Sequence, residues 1–504
     1  MIADYSSGSE SDQGASMAEF SERFKIGSTR TLLKEQDKKM IHDAALNVME
    51  TVGVRIHSRT AKDALRKAGA SVDERTSVVK FPANVTKSLI SKVPPKIVLA
   101  GREKEFDLPV DGTHCYFTTD GCGITVWDQK KKARRLSVLQ DIKDTAHISD
   151  YLPFCSIYEP MVVAHDVPQS MHVASGMREA LMTTRKHIET ESTSNPEEAK
   201  VQIQMAAEIV GGMEELRKRH LISAMVCTMS PLTLDGNATE AAMAWADAHV
   251  PVHITGMAQM GISGPATIAG DLVVNHAETL ALACAMQAHS SGCPTIYGSV
   301  LSNMDPRTGA FLGGSPESIL LGATSHEMAK YVNMPSACGG MGSSARIPGI
   351  QATLENSLFG LMGGSVCAEI NNGIGLVSGS TMLSYEQLVI DNEIAAMAVS
   401  CCREIPVNEE TIHLNLIKEV GILGMGTKKG NYLNQMETLM EARQFYQSGL
   451  FNSRPFEDWE AKGKKDDMTL AKEKADWILV NYKPVYLDKD MLSRIDSIAK
   501  KASK

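Results

Sequence analysis

Several common functional signatures are missing from this sequence of 504 residues. It has no HExxH pattern, no GxSxG turn, no phosphate-binding P-loop and no cysteine and histidine set at the spacing of a zinc site. No apolar stretch reaches the roughly 18 residues of a membrane-spanning helix. These absences argue against a zinc hydrolase, an α/β-type serine hydrolase, a P-loop NTPase and an integral membrane protein. We expect no metal site in this chain.

Positive charge and aromatic residues are also in short supply. The 51 lysines and arginines are outnumbered by 60 acidic residues, which gives a net charge of −9, and aromatic residues make up 5% of the chain. A nucleic-acid-binding protein normally shows the opposite charge balance. The ten cysteines are scattered without a CxxC pair, and the N-terminus has no basic start or apolar core. This pattern favours a cytoplasmic protein with reduced thiols.

The chain divides into four predicted regions. Residues 1–16 are rich in Ser, Gly and Asp and predict a disordered leader, with Met17 as an alternative start. Residues 17–110 form a predicted N-terminal extension, residues 111–403 show a regular alternation, and residues 404–504 form a predicted C-terminal helical extension.

The alternation consists of short apolar runs separated by helical patterns. The predicted strands are Cys115–Thr119, Cys155–Val162, His187–Glu191, Leu221–Thr228, Val250–Gly256, Pro294–Ser299, Pro335–Gly339 and Val366–Asn371. A helical pattern follows each of them. Eight strands, each followed by a helix, predict a (β/α)₈ TIM barrel with mainly helical extensions on both sides. A doubly wound sheet is the alternative, although it rarely has eight such regular units.

Enzymes with this fold react at the C-terminal ends of the barrel strands. One strand-loop-helix unit stands out, because residues 294–317 place several polar groups and an aromatic residue between a strand and a helix that begins at Ser315-Pro316. The candidates at the eight strand ends are Thr118, Asp120, Tyr158, Glu159, Glu189, Glu191, Thr228, Ser230, Thr255, Met257, Tyr297, Ser299, Gly339, Gly340, Glu369, Asn371 and Asn372.

The same unit resembles a known family. The segments PTIYGS (294–299) and MDPRTGAFLGGSPE (304–317) are similar to the trimethylamine methyltransferase family of corrinoid-dependent enzymes. The segments ETVGVRIH (50–57), EPMVVAHDVP (159–168), TMSPLTL (228–234) and YEQLVIDNEI (385–394) agree with it. The resemblance covers the chain from about residue 30 onward, and it independently implies a (β/α)₈ barrel.

The resemblance implies transfer of a methyl group from an amine to the Co(I) corrinoid of a separate protein. The founding enzymes carry pyrrolysine, whereas this chain contains standard residues only. It therefore resembles the branch without pyrrolysine, whose members demethylate quaternary amines. Glycine betaine, giving dimethylglycine, is the expected substrate; proline betaine, carnitine and γ-butyrobetaine are alternatives. A DxHxxG cobalamin signature is absent, so we expect the corrinoid to come from a partner protein or as free cobalamin. The family also implies a homo-oligomer.

A quaternary ammonium ion is a permanent cation that leaves as a neutral amine, so its transfer needs no proton donor. Aromatic faces bind such cations, and arginine binds a betaine carboxylate with two parallel hydrogen bonds. The expected substrate-binding residues are Phe117, Tyr158, Tyr297, Arg307, Phe311, Arg346 and Asn371. Glu191 and Glu369 are expected to supply negative charge at the reaction centre, and Gly339 and Gly340 to contact the cofactor.

Other interpretations remain open. Phe117 also suits the core, and each arginine also suits a structural ion pair. A barrel lyase or isomerase would use Glu159 or Glu369 as its base, with Arg307 as a substrate clamp. A third interpretation is that the chain is a non-catalytic scaffold that binds a corrinoid protein.

Overall fold

The computed structural model describes residues 20–190, 195–428 and 431–502. The elements before the barrel are α1 (Glu35–Thr51), β1 (Val54–Ile56), α2 (Arg59–Lys67), β2 (Ser71–Asp73), β3 (Val78–Lys80), α3 (Ala83–Ile90), β4 (Ile97–Leu99) and β5 (Leu108–Val110). Strand β1 pairs with β3. All three helices pack against one long barrel helix, so this extension is joined to the barrel along one side.

Eight parallel strands form a nearly closed barrel. They are β6 (Tyr116–Thr119), β9 (Ile157–Tyr158), β10 (His187–Thr190), β11 (Ile222–Cys227), β13 (Val252–Gly256), β14 (Thr295–Ser299), β17 (Ala337–Gly339) and β18 (Ile370–Ile374). Each pairs with the next in chain order up to β14, and β18 pairs with both β17 and β6. The amide of Tyr297 donates to the carbonyl of Pro335 at 2.8 Å and joins β14 to the entry of β17. The predicted TIM-barrel fold is confirmed.

Helices surround the barrel. They are α4 (Leu139–Tyr151), α5 (His172–Thr183), α6 (Pro196–Val210), α7 (Met213–Lys218), α8 (Gly236–Asp247), α9 (Ile268–His289), α10 (Pro316–Tyr331), α11 (Ile350–Val366) and α12 (Tyr385–Cys401). Side chains that cap first turns explain several helix starts. Ser315, for example, accepts from the amide of Ser318, and Pro316 takes the first helical position, as the sequence predicts.

Small strands extend the loops at the C-terminal end of the barrel, here called the mouth. They are β7 (Thr125–Asp128), β8 (Ala133–Leu136), β12 (Thr233–Leu234), β15 (Asn303–Met304), β16 (Phe311–Leu312), β19 (Leu376–Val377) and β20 (Met382–Leu383). Strands β7, β8, β19 and β20 form one sheet, β15 and β16 form a hairpin, and β12 pairs with β1 of the N-terminal extension. The mouth is therefore framed by ordered structure.

The C-terminal elements are α13 (Glu409–Ile412), α14 (Leu414–Val420), α15 (Met436–Glu441), α16 (Phe456–Ala461), α17 (Asp467–Asn481) and α18 (Lys489–Ala502). Helix α17 packs on α12 and α4, and α18 packs on α5 and α6. Within the described ranges, no helix combines the length and the apolar composition needed to cross a membrane.

Two barrel strands differ from their predicted bounds. The second strand is only two residues long, although the apolar run Cys155–Val162 predicts eight. The eighth strand begins at Ile370 rather than Val366, because helix α11 continues to Val366 and ends where Cys367 adopts a left-handed conformation with φ of 57°. Glu369 therefore precedes the strand and lies at the end of the barrel opposite the mouth.

Candidate active site

The pleat of the strands separates barrel side chains into two sets. Successive residues of a strand point to opposite faces. The Tyr158 hydroxyl donates to the carbonyl of Ile142 in α4 at 2.9 Å, and the Tyr297 hydroxyl lies 2.9 Å from Nδ1 of His276 in α9. Both tyrosines thus point into the layer between strands and helices. Their neighbours along each strand point into the barrel interior, here called the lumen.

Three lumen side chains from separate strands form a hydrogen-bonded group. Oε1 of Glu189 lies 3.1 Å from Nδ1 of His253, and its Oε2 accepts from the side-chain amide Nδ2 of Asn372 at 3.2 Å. The three residues come from β10, β13 and β18, and all are buried. The group spans the lumen and fixes the Glu189 carboxylate in one orientation.

The surroundings of Glu189 keep it charged. Burial alone would raise the pKa of its carboxyl, but the adjacent His253 and the Asn372 hydrogen bond hold that pKa below its ordinary value. His187 lies two residues before Glu189 on β10. Its Nδ1 lies 3.0 Å from the Ala100 carbonyl oxygen, and its Nε2 lies 3.0 Å from Oγ of Ser223. Burial lowers the pKa of His187 to about 4, so this imidazole is neutral.

Polar atoms without partners lie around the same group. Within the described part of the chain, Nε2 of His253, Oδ1 of Asn372, Oγ1 of Thr118 and Oγ1 of Thr255 are buried and make no hydrogen bond. Strand alternation places both threonines on the lumen face. Buried polar groups are normally satisfied, so such a cluster marks a place for a ligand or for ordered water.

Glycine keeps space open beside His253. A Cβ atom on Gly298 would lie 2.2 Å from Nε2 of His253, which a real side chain could not do. The imidazole consequently depends on glycine at the facing position of β14. Only a hydrogen at that position leaves room for the ring in the place from which it reaches Glu189.

Two more carboxyl groups follow the two barrel strands that precede β10. Asp120 follows β6 and Glu159 follows β9, and strand alternation turns both toward the lumen. The pKa of Asp120 is raised, mainly by burial and in part by the nearby Glu189, although Ser380 donates a hydrogen bond to its carboxylate. Three carboxyl groups from three consecutive strands therefore lie on one side of the lumen, and the pKa of the Glu189 carboxyl among them is held low.

The β15–β16 hairpin holds two of the predicted substrate residues. The half-buried ring of Phe311 lies beside Gly313 and Gly379, in the mouth loops. Arg307 is exposed at the turn of the hairpin, where its amide donates to Oδ1 of Asp305 at 2.7 Å. The structure thus brings Phe311 and Arg307 to the mouth on a single element. Arg346 is also exposed, on the loop before α11.

The other predicted aromatic residues lie outside the lumen. Tyr158 and Tyr297 are buried, and their hydroxyls bond to the helix layer as described above. Phe117 is fully buried beside Gly360 of α11. This placement gives no support to a cation contact by these three rings, because their packing leaves the ring faces against helices. It corrects the expectation that Tyr297 faces the ammonium group.

Two predicted polar residues are likewise remote from the mouth. Glu369 accepts from the amide and the hydroxyl of Ser336 at 2.7 and 2.9 Å and pairs with Lys330 at 2.5 Å. Asn371 is turned toward the helices and donates to the carbonyls of Tyr116 and Ala368. Since Glu369 lies at the far end of the barrel, it cannot serve there as the catalytic carboxylate or as the base of a lyase.

The remaining predictions concern glycines and one glutamate. A Cβ on Gly340 would lie 1.9 Å from the ring of Phe359, and a Cβ on Gly339 would lie 2.4 Å from Val300. The chain's own side chains occupy those spaces, which leaves no cradle there for a cofactor. Glu191 lies outside the described residues.

The sequence analysis missed His253 and gave no role to Glu189 and Asn372. The available signal was the two-residue period of the predicted strand Val250–Gly256, which places His253 and Thr255 on one face. The pattern does not say whether that face points into the lumen or toward the helices, because the strand is buried on both sides. Across the described ranges, no three or more His, Cys, Asp or Glu residues are grouped to hold a metal ion.

Comparison with known sequences decides the family. Residues 7–504 match the profile described as Trimethylamine methyltransferase (MTTB). The chain belongs to the trimethylamine methyltransferase family. The trimethylamine methyltransferase MttB of Desulfitobacterium hafniense is 31% identical, with 92% of each chain covered, and that of Methanosarcina barkeri strain Fusaro is 30% identical, with 95% of this chain and 96% of that one covered.

A second kind of relative is named for a different substrate. The glycine betaine methyltransferase of Desulfitobacterium hafniense strain Y51 is 25% identical, with 92% of this chain and 96% of that protein covered. The near full-length relatives of this chain thus include proteins named for a tertiary and for a quaternary amine. The resemblance seen in the sequence is confirmed at the level of the family.

Proposed function

We propose that this chain transfers a methyl group from a quaternary amine, glycine betaine first, to the Co(I) corrinoid of a partner protein in the cytoplasm. The proposal rests on one observation above all, the buried and charged Glu189 carboxylate in a lumen lined by unpartnered polar atoms. Family membership supplies the reaction class, methyl transfer. The structural argument concerns which substrate the lumen accepts.

The lumen favours a cation. Asp120, Glu159 and Glu189 lie on one side, and a buried site strengthens their attraction for positive charge because little water screens it. A methylated ammonium ion is weakly hydrated, so it loses less on leaving water than a compact ammonium does. Phe311 at the mouth adds an aromatic face, worth about 0.5–2 kcal/mol for a cation within reach.

A betaine also carries a carboxylate, which needs donors. We assign this contact to Arg307, because it shares the β15–β16 hairpin with Phe311. An arginine can bind both carboxylate oxygens at once, which fixes the direction of the substrate. With the carboxylate near Arg307 and the ammonium group near Phe311 and Asp120, a methyl group is held at the mouth. Arg346 is the alternative clamp.

The mouth also fits a large apolar reaction partner. Met229, Met257 and Ile262, on the loops that follow β11 and β13, are 54%, 43% and 55% exposed. An apolar rim of this kind suits the edge of a corrin ring presented by another protein. This rim is the part of the chain that fits a corrinoid. When bound there, a Co(I) corrinoid would supply the electron pair for the new bond to the methyl carbon.

The chain itself then has to bind and orient the substrate and to exclude water from the site. The carbon–nitrogen bond breaks with its electron pair left on nitrogen, so a quaternary substrate leaves as a neutral amine. No proton moves in this step. The lumen carboxylates therefore act through charge on the ammonium group, and they need no change of protonation during the transfer.

Trimethylamine is a second candidate substrate, which the names of the 30–31% identical relatives favour. Its protonated form is also a cation, but it carries an N–H group that can donate a hydrogen bond. Oδ1 of Asn372 is a buried acceptor without a partner among the described residues. A tertiary ammonium could use that acceptor and a quaternary one could not.

A spectroscopic assay tests the proposal. The purified chain is mixed anaerobically with Co(I) cobalamin and, in separate reactions, glycine betaine, trimethylamine, carnitine, proline betaine or γ-butyrobetaine. Loss of the Co(I) absorbance with glycine betaine supports the proposal. Loss only with trimethylamine contradicts the quaternary substrate, and no change with any amine, also in the presence of corrinoid proteins, contradicts methyl transfer to a corrinoid.

A further inference from the structure

The turn between β19 and β20, which comprises residues 378–381, lies at the mouth of the barrel. The amide of Ser378 donates to the carbonyl of Ala345 at 2.7 Å. The next amide, that of Gly379, donates to the carbonyl of Ser343 at 2.8 Å. Since the turn follows β18 and both acceptors follow the neighbouring strand β17, these two bonds fix the turn at the rim of the lumen.

The same turn reaches two groups of the proposed substrate site. The hydroxyl of Ser380 donates a hydrogen bond to the carboxylate of Asp120, which follows β6, the other neighbour of β18. A Cβ atom on Gly379 would lie 3.4 Å from Cδ1 of Phe311, which is an ordinary van der Waals distance. One residue of the turn thus contacts the carboxylate, and the next borders the aromatic ring assigned to the ammonium group.

The backbone of the turn has an uncommon conformation. Ser378, Gly379 and Ser380 have φ angles of 61°, 65° and 61°, all in the left-handed region. Glycine adopts this region without strain, whereas a Cβ atom makes it unfavourable, and strained residues of this kind concentrate at functional sites. Ser378 stabilises the turn through its backbone, because its carbonyl accepts from Oγ1 of Thr381 at 2.8 Å. A serine at position 380, where a glycine would be unstrained, therefore indicates a use for its hydroxyl.

Glycine at position 342 leaves room for the Ser380 hydroxyl. A Cβ atom on Gly342 would lie 1.9 Å from Oγ of Ser380 and 3.7 Å from Oδ2 of Asp120. The hydroxyl and the carboxylate thus lie side by side against the loop that follows β17. A larger residue at position 342 would displace the hydroxyl from this place.

The surroundings of Asp120 oppose its negative charge. Burial, with a smaller effect of Glu189 on β10, raises the pKa of its carboxyl, and the Ser380 hydroxyl counteracts this rise. The amide of Cys122 also donates to Oδ1 of Asp120, at 3.3 Å. The other titratable groups that adjoin this carboxyl in the described part of the chain are the Cys122 thiol and Glu159 after β9, and neither carries a positive charge.

We propose that Ser380 is the positioning residue of Asp120, whose carboxylate it holds ionised and directed at the ammonium group of the substrate. A hydrogen bond to a charged acceptor is stronger than one to its neutral form, so the hydroxyl favours the charged carboxylate. Without that hydroxyl, Asp120 takes up a proton more readily as the pH falls and then attracts a cation less. This inference rests on the proposed function, because it assumes a cationic substrate in the lumen.

Titration calorimetry with tetramethylammonium, a cation without a carboxylate, tests this role at pH 6, 7, 8 and 9. The wild type should bind with nearly constant affinity. Ser380→Gly removes the hydroxyl and leaves the left-handed backbone unstrained, and it should bind about tenfold more weakly at pH 6 than at pH 9. Ser378→Gly is the matched control, because it makes the same change at the same φ two residues away, and it should behave like the wild type.

Gly342→Ala tests the same hydroxyl through a different residue. Its new Cβ atom displaces Oγ of Ser380, so this variant should show the pH dependence of Ser380→Gly. Thermal unfolding of each variant shows whether the fold is intact. A merely structural role of the turn would weaken binding equally at every pH.

The outcomes separate this inference from the proposed function. If the wild type binds and methylates cobalamin but Ser380→Gly has the pH dependence of Ser378→Gly, the role of Ser380 is wrong and the proposed function stands. The same conclusion follows if the loss of affinity in Ser380→Gly is equal at pH 6 and pH 9. A wild type that neither binds tetramethylammonium nor methylates cobalamin with any amine would overturn both.

Discussion

Nδ1 of His253 lies 3.1 Å from Oε1 of Glu189, and both side chains are buried in the barrel lumen. Removal of one member of a buried hydrogen-bonded pair leaves the polar group of the other member without a partner, which is usually costly. The pair therefore combines two effects: it holds a carboxylate ionised away from water, and it fixes the direction of that carboxylate.

The first prediction concerns the charge of Glu189. Glu189→Gln keeps the size of the side chain but removes its negative charge. We expect KM for glycine betaine to rise by roughly 10- to 100-fold, since an interaction with a charged group contributes about 1.5–3 kcal/mol. Steady-state kinetics of cobalamin methylation measure it. Glu197→Gln, on the exposed start of α6, should leave KM unchanged, and equal KM values in the two variants would remove Glu189 from the substrate site.

The second prediction separates the two loop arginines. Arg307→Lys should raise KM for glycine betaine by roughly tenfold, the ~1.4 kcal/mol expected when a two-bond carboxylate contact is weakened. Arg346→Lys is the matched comparison. For tetramethylammonium, which lacks a carboxylate, binding should be the same in both variants and in the wild type. Isothermal titration with the two ligands provides the measurement. A larger effect of Arg346→Lys would reassign the clamp.

The third prediction follows from the position of Tyr297. Its hydroxyl bonds to His276 and Asn275 in the helix layer, at 2.9 and 3.2 Å. Tyr297→Phe should therefore lower the free energy of unfolding by about 1–3 kcal/mol, with KM for the amine unchanged. Chemical denaturation and kinetics measure the two quantities. Tyr486→Phe, at a 45% exposed position, should change neither. An unfolding free energy equal to that of the wild type would show that the buried hydroxyl gains nothing from these two contacts.

The fourth prediction concerns pH and stability. Burial, with a smaller effect of Glu278, raises the pKa of Asp271 in α9 to about 7. Neither carboxylate oxygen of Asp271 has a hydrogen-bond partner in the described part of the chain. The unfolded chain releases this proton near pH 4, and the folded chain holds it until about pH 7. The unfolded state thus binds fewer protons between those values, and stability falls as pH rises through that window.

Asp271→Asn removes this effect. We expect the variant to gain stability over the wild type at pH 8, by roughly 1–3 kcal/mol, and to gain little at pH 4.5. Thermal unfolding at the two pH values measures the difference, with Asp490→Asn on the surface as the control. The interpretation fails if the stability difference between Asp271→Asn and the wild type is the same at both pH values.

The order of the barrel elements could be predicted because each apolar strand and each amphipathic helix is a local pattern. The direction of side chains in those strands could not. Tyr297 and Glu189 both lie in runs that are buried on both faces, so composition does not distinguish the lumen from the helix layer. Glu369 was misplaced for a related reason, since the point where α11 ends and β18 begins depends on the left-handed conformation of Cys367.

Contacts between distant segments were also beyond the sequence. The approach of Asn372 to Glu189 joins residues 183 positions apart, and it depends on closure of the barrel. Likewise, the position of Gly298 opposite His253 depends on the register between β13 and β14. By contrast, the strand-loop-helix unit at residues 294–317 is a local pattern, and the structure places Phe311 and Arg307 on its β15–β16 hairpin.

Transfer of an isotopically labelled methyl group tests the central claim most directly. The chain is incubated with Co(I) cobalamin, free or bound to a corrinoid protein, and with glycine betaine that carries three trideuterated methyl groups, and both products are analysed by mass spectrometry. The account predicts one trideuteromethyl group on cobalamin for each dimethylglycine formed, at a rate that is nearly constant from pH 6 to 9 and is reduced in Glu189→Gln. Unlabelled cobalamin, or a bell-shaped pH profile that disappears in Glu159→Gln, would contradict it.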